Sequence, residues 1–138
     1  MVDSDKYGFV GLGDMGGPMA ANLQRGGFQL IVYDKADTEN KAPSGAELGA
    51  GIEDVARAAE VVFLSVPDAA ASLDVARSVV AVEDRNTRVL INLSTVGVEA
   101  TTSIVKTLTD FGVDYVDAPV SGGKAGACLL YTSDAADE

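Results

Sequence analysis

Two stretches of this chain place chemically useful residues at useful spacing. The first is Gly11-Leu12-Gly13-Asp14-Met15-Gly16, a GxGxxG pattern. Gly11 permits a sharp turn. Gly13 lets the backbone approach a pyrophosphate, and Gly16 lets a helix pack closely on a strand. A helix starting here offers unpaired N–H groups and its positive dipole end to phosphate. Glycine triplets alone often make only a tight turn, so a strand before and a helix after are what give the pattern meaning. Asp34 supplies the second half: it closes the run VYD, 21 residues after Gly13. A carboxylate at that place accepts hydrogen bonds from a ribose 2′-hydroxyl and repels a 2′-phosphate. Taken alone, Asp34 reads as an exposed strand-end acid. Glycines, helix and acid in one register favour a dinucleotide. A methyltransferase using adenosylmethionine also pairs a glycine loop with an acid, but usually lacks the third glycine. The second stretch is Ser121-Gly122-Gly123, in SGGKAGA. Glycine N–H groups beside a hydroxyl form an anion-accepting concavity. Pro119 stiffens the approach to it, which weighs against a merely flexible turn.

Other chemistries are poorly supplied. Histidine is absent, so acid–base work falls to Lys, Asp, Glu or Tyr. No CxxC or paired ligand cluster suggests a metal. The single cysteine, Cys128, forms no internal disulfide, but it belongs to the tail read below as foreign, so it says nothing of redox compartment; a cytoplasmic location is expected. A formal net charge of −11 disfavours nucleic acid and anionic lipid as partners. No apolar run approaches the ~18 residues of a membrane span. Residues 1–7 are polar and lead straight into a strand-like run, so no secretory signal is expected. The 138 residues, 47% hydrophobic and 22% charged, suit one globular domain.

The elements that must position these groups alternate. Strands are expected at Tyr7–Val10, Phe28–Tyr33, Val61–Val66, Arg88–Leu93 and Val113–Val116. Helices are expected at Met15–Arg25, Glu53–Ala59, Ala69–Ala81 and Val98–Phe111, the last capped by Ser94 or Thr95 and closed by Gly112. Between Asp37 and Ala50 the sequence reads as a short helix and a turn. Continuous apolar strands alternating with helices imply an α/β fold: a Rossmann-type, doubly wound parallel sheet covered on both faces.

The stretch GFVGLGDMGGPMAANL resembles the opening of the β-hydroxyacid dehydrogenase family, which includes 3-hydroxyisobutyrate dehydrogenase and tartronate semialdehyde reductase. Its pattern, GxGxMGxPMAxNL, is matched at every element from Gly11 to Leu23. LSVP, INLSTV and DAPVSGGKAGA resemble three later family motifs, in the same order. The resemblance covers residues 6–127. It implies that Gly11, Leu12, Gly13, Met15 and Gly16 hold a pyrophosphate and Asp34 the adenosine ribose. Val66 and Pro67 would line the cofactor's path, and Thr95 would lie near the nicotinamide ribose. Ser121, Gly122 and Gly123 would bind the carboxylate and hydroxyl of a small 3-hydroxy acid. Members preferring NADP tend to carry Asn-Arg where this chain has Asp34-Lys35. NAD is therefore the expected cofactor and NADP the lesser one, with Lys35 able to tolerate a phosphate. The same difference argues against 6-phosphogluconate dehydrogenase, a distant relative.

The family's catalytic lysine lies well beyond the SGG loop, on a helix for which this chain has no counterpart. Lys124 occupies a variable position of SGGxxGA and is not that lysine. No catalytic residue is therefore assigned. The tail CLLYTSDAADE reads, in one frame, as the transposon-end adaptor of tagmentation sequencing libraries. Every complete codon fits. The expected organisation is thus a dinucleotide-binding domain over residues 1–127, truncated and incomplete at its C-terminal end, then an adaptor translation over 128–138. The family's helical second domain is absent. The parent is expected to be an NAD-dependent 3-hydroxy acid dehydrogenase and a homo-oligomer, and the chain itself inactive. The rival reading is a non-catalytic nucleotide-binding or interaction module on the same fold.

Overall fold

The computed structural model describes residues 6–119. The elements run β1 (Lys6–Val10), α1 (Gly16–Arg25), β2 (Gln29–Tyr33), α2 (Thr38–Lys41), β3 (Glu47–Leu48) and α3 (Ile52–Ala58). Then come β4 (Val61–Leu64), α4 (Ala69–Val80), β5 (Val89–Asn92), α5 (Gly97–Thr109) and β6 (Asp114–Asp117). The six strands form one sheet in the order β3-β2-β1-β4-β5-β6, and every pairing is parallel. This is the expected Rossmann-like α/β class.

Side chains on successive strand residues face opposite sides of a sheet, and the sequence exploits this. Val10, Ile31, Val62, Leu64 and Leu90 face α3, α4 and α5, where they meet Val55, Ala76, Val79, Ile104 and Leu108. Phe9, Leu30 and Val32 face the other way, against Met19 and Ala20 of α1. Phe9 is completely buried. Burying such a side chain stabilises by about 1.5–3 kcal/mol. Consecutive buried residues in β1 and β2 explain why those strands read as apolar runs, while β4 and β5 alternate half-buried and buried residues.

β1 lies between β2 and β4, so the chain winds one way from β1 through β2 to β3 and the other way from β4 to β6. Loops leaving the C-terminal ends of β1 and β4 diverge at such a point, opening a crevice there. Pairing of Tyr7 with Val61 and Val10 with Leu64 brings the two strand ends level.

Some expectations need amendment: β4, expected to reach Val66, ends at Leu64. The stretch read as a turn after α2 contains β3. Its two residues are both exposed, and their pairing with Ile31 and Val32, not burial, makes them a strand. The strand expected from Phe28 begins at Gln29, and Phe28 remains exposed. The N-cap of α5 is neither Ser94 nor Thr95 but Val96, which makes no side-chain cap bond. Ser94 is drawn away because its hydroxyl accepts the N–H of Val66, 2.8 Å distant, from the neighbouring strand exit. The expected C-terminal incompleteness of the sheet, and the tail, fall past residue 119, outside the described residues.

Candidate functional site: a glycine loop and cleft at the strand ends

The turn after β1 is built around Gly11. Its φ is +98°, and a Cβ there would stand 1.9 Å from Ser65 O. Only glycine fits on both counts. Its N–H donates to Tyr33 O at 2.9 Å, tying the turn to the end of β2. Gly16 begins α1 close beneath: a Cβ there would lie 2.0 Å from Gly11 O.

Gly13 differs. Among the described residues a side chain at Gly13 would meet no atom within 4 Å, and its φ is not in the left-handed region. Gly13 and Asp14 are both exposed. Among the described residues, the backbone N–H groups of Gly13, Asp14 and Met15 have no backbone or side-chain acceptor. They stand at the N-terminus of a ten-residue helix, which favours negative charge nearby.

Asp34 closes β2 opposite this loop. Its Oδ2 accepts the N–H of Leu12 at 2.7 Å. Its Oδ1 accepts those of Ala36 at 2.8 Å and Asp37 at 3.3 Å. Lys41 Nζ lies 3.7 Å from Oδ1, and the Asp34 side chain is only 10% exposed. Burial pushes the carboxyl's pKa up. The Leu12, Ala36 and Asp37 N–H groups and the Lys41 ammonium outweigh it, holding the group below the ordinary carboxylate value. Asp34 is therefore ionised at neutral pH. A carboxylate offers about four lone pairs. Three are taken, which leaves one, on Oδ2.

Between the loop, the end of β2 and α4 runs a cleft of about 1130 Å3. Gly11, Gly13, Met15, Gly16 and Asp34 border it together, and Val66 and Pro67 form part of its wall. Leu12, expected among the pyrophosphate residues, is not part of the lining: its side chain is in the α1-side core and its N–H is held by Asp34. Thr95 is exposed past β5, outside the lining. Ser121, Gly122, Gly123 and Lys124 lie outside the described residues.

The cleft also recruits residues that the motifs do not name. Lys41 enters it from α2, and Asp74, Arg77 and Ser78 enter it from α4. A polar stripe at positions i, i+3 and i+4 of α4 was the available signal, but most surface helices carry one. Asp14, Asp34 and Asp74 are countered in the lining by Lys35, Lys41 and Arg77. A chain of formal charge −11 thus presents a balanced lining. Among the described residues no group of three or more acidic or sulfur ligands is arranged for a metal ion, and no helix is long and apolar enough to cross a membrane.

Known proteins of similar sequence and structure share this region. The chain is 36% identical over 131 residues to the 2-(hydroxymethyl)glutarate dehydrogenase of Eubacterium barkeri, covering 92% of this chain and 44% of that one. It is 34% identical over 125 residues to the 2-hydroxy-3-oxopropionate reductase of Escherichia coli strain K12, covering 88% and 43%. The structure of a Mycobacterium tuberculosis 3-hydroxyisobutyrate dehydrogenase with L-serine superposes with a TM-score of 0.82 at 28% identity, covering 91% and 43%. The chain therefore spans about two fifths of the length of the relatives it matches. Residues 6–129 match the family model of the NAD binding domain of 6-phosphogluconate dehydrogenase, and the chain belongs to that family of NAD-binding domains.

Proposed function

We propose that the cleft binds NAD in preference to NADP, and that the parent protein transfers hydride between NAD and a small 3-hydroxy acid. Gly13 carries the reading. Among the described residues neither backbone conformation nor packing demands a glycine there, and its N–H and the next two lack acceptors. Close approach by a phosphate ligand supplies the missing reason. Gly11 and Gly16 shape the turn, and Gly13, Met15 and the helix N-terminus face the pyrophosphate. The free lone pair of Asp34 takes a ribose hydroxyl. Val66 and Pro67 line the cofactor's path. The charge balance of the lining lets an anionic dinucleotide enter an acidic protein.

Preference for NAD arises from a buried, ionised carboxylate meeting the ribose. A 2′-phosphate there suffers repulsion that Lys35 and Lys41 offset only in part. The parent's reaction is supported by relatives named as dehydrogenases and reductases of small hydroxy acids. When bound, nicotinamide supplies the hydride acceptor. Thr95 beside the nicotinamide ribose, and Ser121, Gly122 and Gly123 on the substrate, rest on motif resemblance. So does the division into a cofactor domain over residues 1–127 and a foreign tail over 128–138. Calorimetric titration of the chain with each cofactor tests the reading, with NAD expected to bind tighter. Tighter NADP binding overturns the preference. Binding of neither overturns the dinucleotide assignment.

A further inference from the structure

The wall of the cleft at Val66-Pro67 has little to hold it. The β4 ladder ends at Leu64, paired with Asn92. Ser65 N–H still reaches back to Val10 O at 2.9 Å. Pro67 has no N–H to give. Between Ser65 and Pro67 the N–H of Val66 is the donor left to anchor the β4 exit, and the Ser94 hydroxyl accepts it at 2.8 Å. Val66 in turn sits against the glycine loop: a Cβ at Gly11 would be 3.2 Å from Val66 Cγ1.

Ser94 is itself held. Its N–H donates to Asn92 Oδ1 at 2.9 Å. Asn92 is fully buried at the end of β5, and its Nδ2 donates to Ser72 Oγ and to the Tyr115 hydroxyl, each at 3.1 Å. Burial raises the Tyr115 phenol above its ordinary pKa despite the hydrogen bond from Asn92, so the group stays a neutral hydroxyl. The amide is thus engaged on both its oxygen and its nitrogen, and has little freedom to turn. A buried polar side chain in mid-fold usually earns its place by satisfying neighbours. Here the satisfied neighbours converge on one loop.

We propose that Ser94, oriented by Asn92, is a positioning residue for the dinucleotide: its hydroxyl fixes the Val66-Pro67 wall and, through Val66, the packing behind Gly11. This rests on the dinucleotide reading above. Without the hydroxyl, Val66 N–H loses its acceptor and the wall relaxes. Binding must then order what the fold no longer orders.

The test uses the chain with Ser94→Ala and Ser94→Thr. Ser94→Ala is expected to weaken NAD binding about fivefold, the scale of one modest hydrogen bond. It should also speed hydrogen exchange at the Val66 amide by at least about tenfold. Ser94→Thr, which keeps the oxygen, should restore both. Should Ser94→Ala fail to fold, Ser94→Cys keeps the volume with a weak acceptor and should show the same two changes. A Ser94→Ala chain that binds NAD as the wild type does, or whose Val66 amide exchanges at the wild-type rate, overturns the positioning role. A wild-type chain that binds neither NAD nor NADP overturns the dinucleotide reading, and this inference falls with it.

Discussion

Replacing Asp34 by Asn tests whether the ribose acid is also a structural brace. The carboxylate accepts three N–H groups, and Leu12 and Asp34 are 22 residues apart in sequence. A hydrogen bond to a charged acceptor is worth about 1.5–3 kcal/mol, a neutral one about 0.5–1.5. Asn keeps one oxygen. If that oxygen serves Ala36 and Asp37, its NH2 confronts the Leu12 N–H, donor against donor. Two bonds weaken and one is lost, for a total of about 3 kcal/mol. For a chain of this size that lowers Tm by about 10 °C. Lys41→Gln is the control. That pair is 3.7 Å apart and Lys41 is 39% exposed, so its loss should cost under about 1 kcal/mol. Urea unfolding at neutral pH measures both, with exchange at the Leu12 amide as the local readout. The pH dependence has a definite sign. The folded pKa of Asp34 is depressed, so its contribution is complete above the unfolded value of about 3.9 and disappears as pH falls through the folded one. The gap between wild type and Asp34→Asn should therefore close below about pH 4. A variant within about 0.5 kcal/mol of wild type at neutral pH, with Leu12 exchange unchanged, would refute the brace.

Gly13→Ala should leave stability within about 0.5 kcal/mol, since no atom of the described residues lies within 4 Å, yet weaken NAD binding at least about tenfold in calorimetry. Gly16→Ala should instead unfold the chain at markedly lower urea, because its Cβ would stand 2.0 Å from Gly11 O. Asp14→Asn removes an exposed carboxylate from the phosphate loop and should tighten NAD binding a few-fold at low salt, with the gain fading as salt screens it. Deleting residues 128–138 should leave NAD affinity unchanged and stability within about 1 kcal/mol. The DNA across the Ala127–Cys128 junction should carry the adaptor string, and synonymous differences from it would sink that reading.

Local chemistry was legible in the sequence, and contacts between distant segments were not. The glycine loop could be read because turn, strand and helix start all fall within residues 6–25. Each of its glycines sits at a fixed offset from the next. The strands of the sheet's centre could be read because at least partial burial on both faces leaves an apolar run. β3 carries no such mark. Glu47 and Leu48 are both exposed and become a strand only by lying beside Ile31 and Val32, with Gly49 N–H donating to Val32 O at 2.8 Å. The misplaced cap of α5 has the same cause. Ser94 has the composition of an N-cap, but the Val66 N–H 28 residues away competes for its oxygen and takes it. Nothing in INLSTV announces that Ser72 and Tyr115 converge on Asn92.

Asp34 shows what this means for the site. The motif resemblance implies that Asp34 is a ribose ligand, at a position where members preferring NADP tend to carry Asn. In the fold it is first the acceptor that pins Leu12, and hence the glycine loop, to the end of β2. A substitution at Asp34 therefore disturbs the glycine loop as well as the position proposed for the ribose. Asn can hold Leu12 or the Ala36–Asp37 turn with its one oxygen, not both. Converting this chain toward NADP would need a second substitution that supplies a new acceptor for the donor left behind. Side chains near enough to Asp34 to share its bonds include Thr38, whose Oγ1 already accepts the Asp34 N–H at 2.8 Å and donates to the Asp34 carbonyl at 2.9 Å. Its hydroxyl is engaged in both directions within the β2–α2 turn, so the new acceptor has to come from elsewhere.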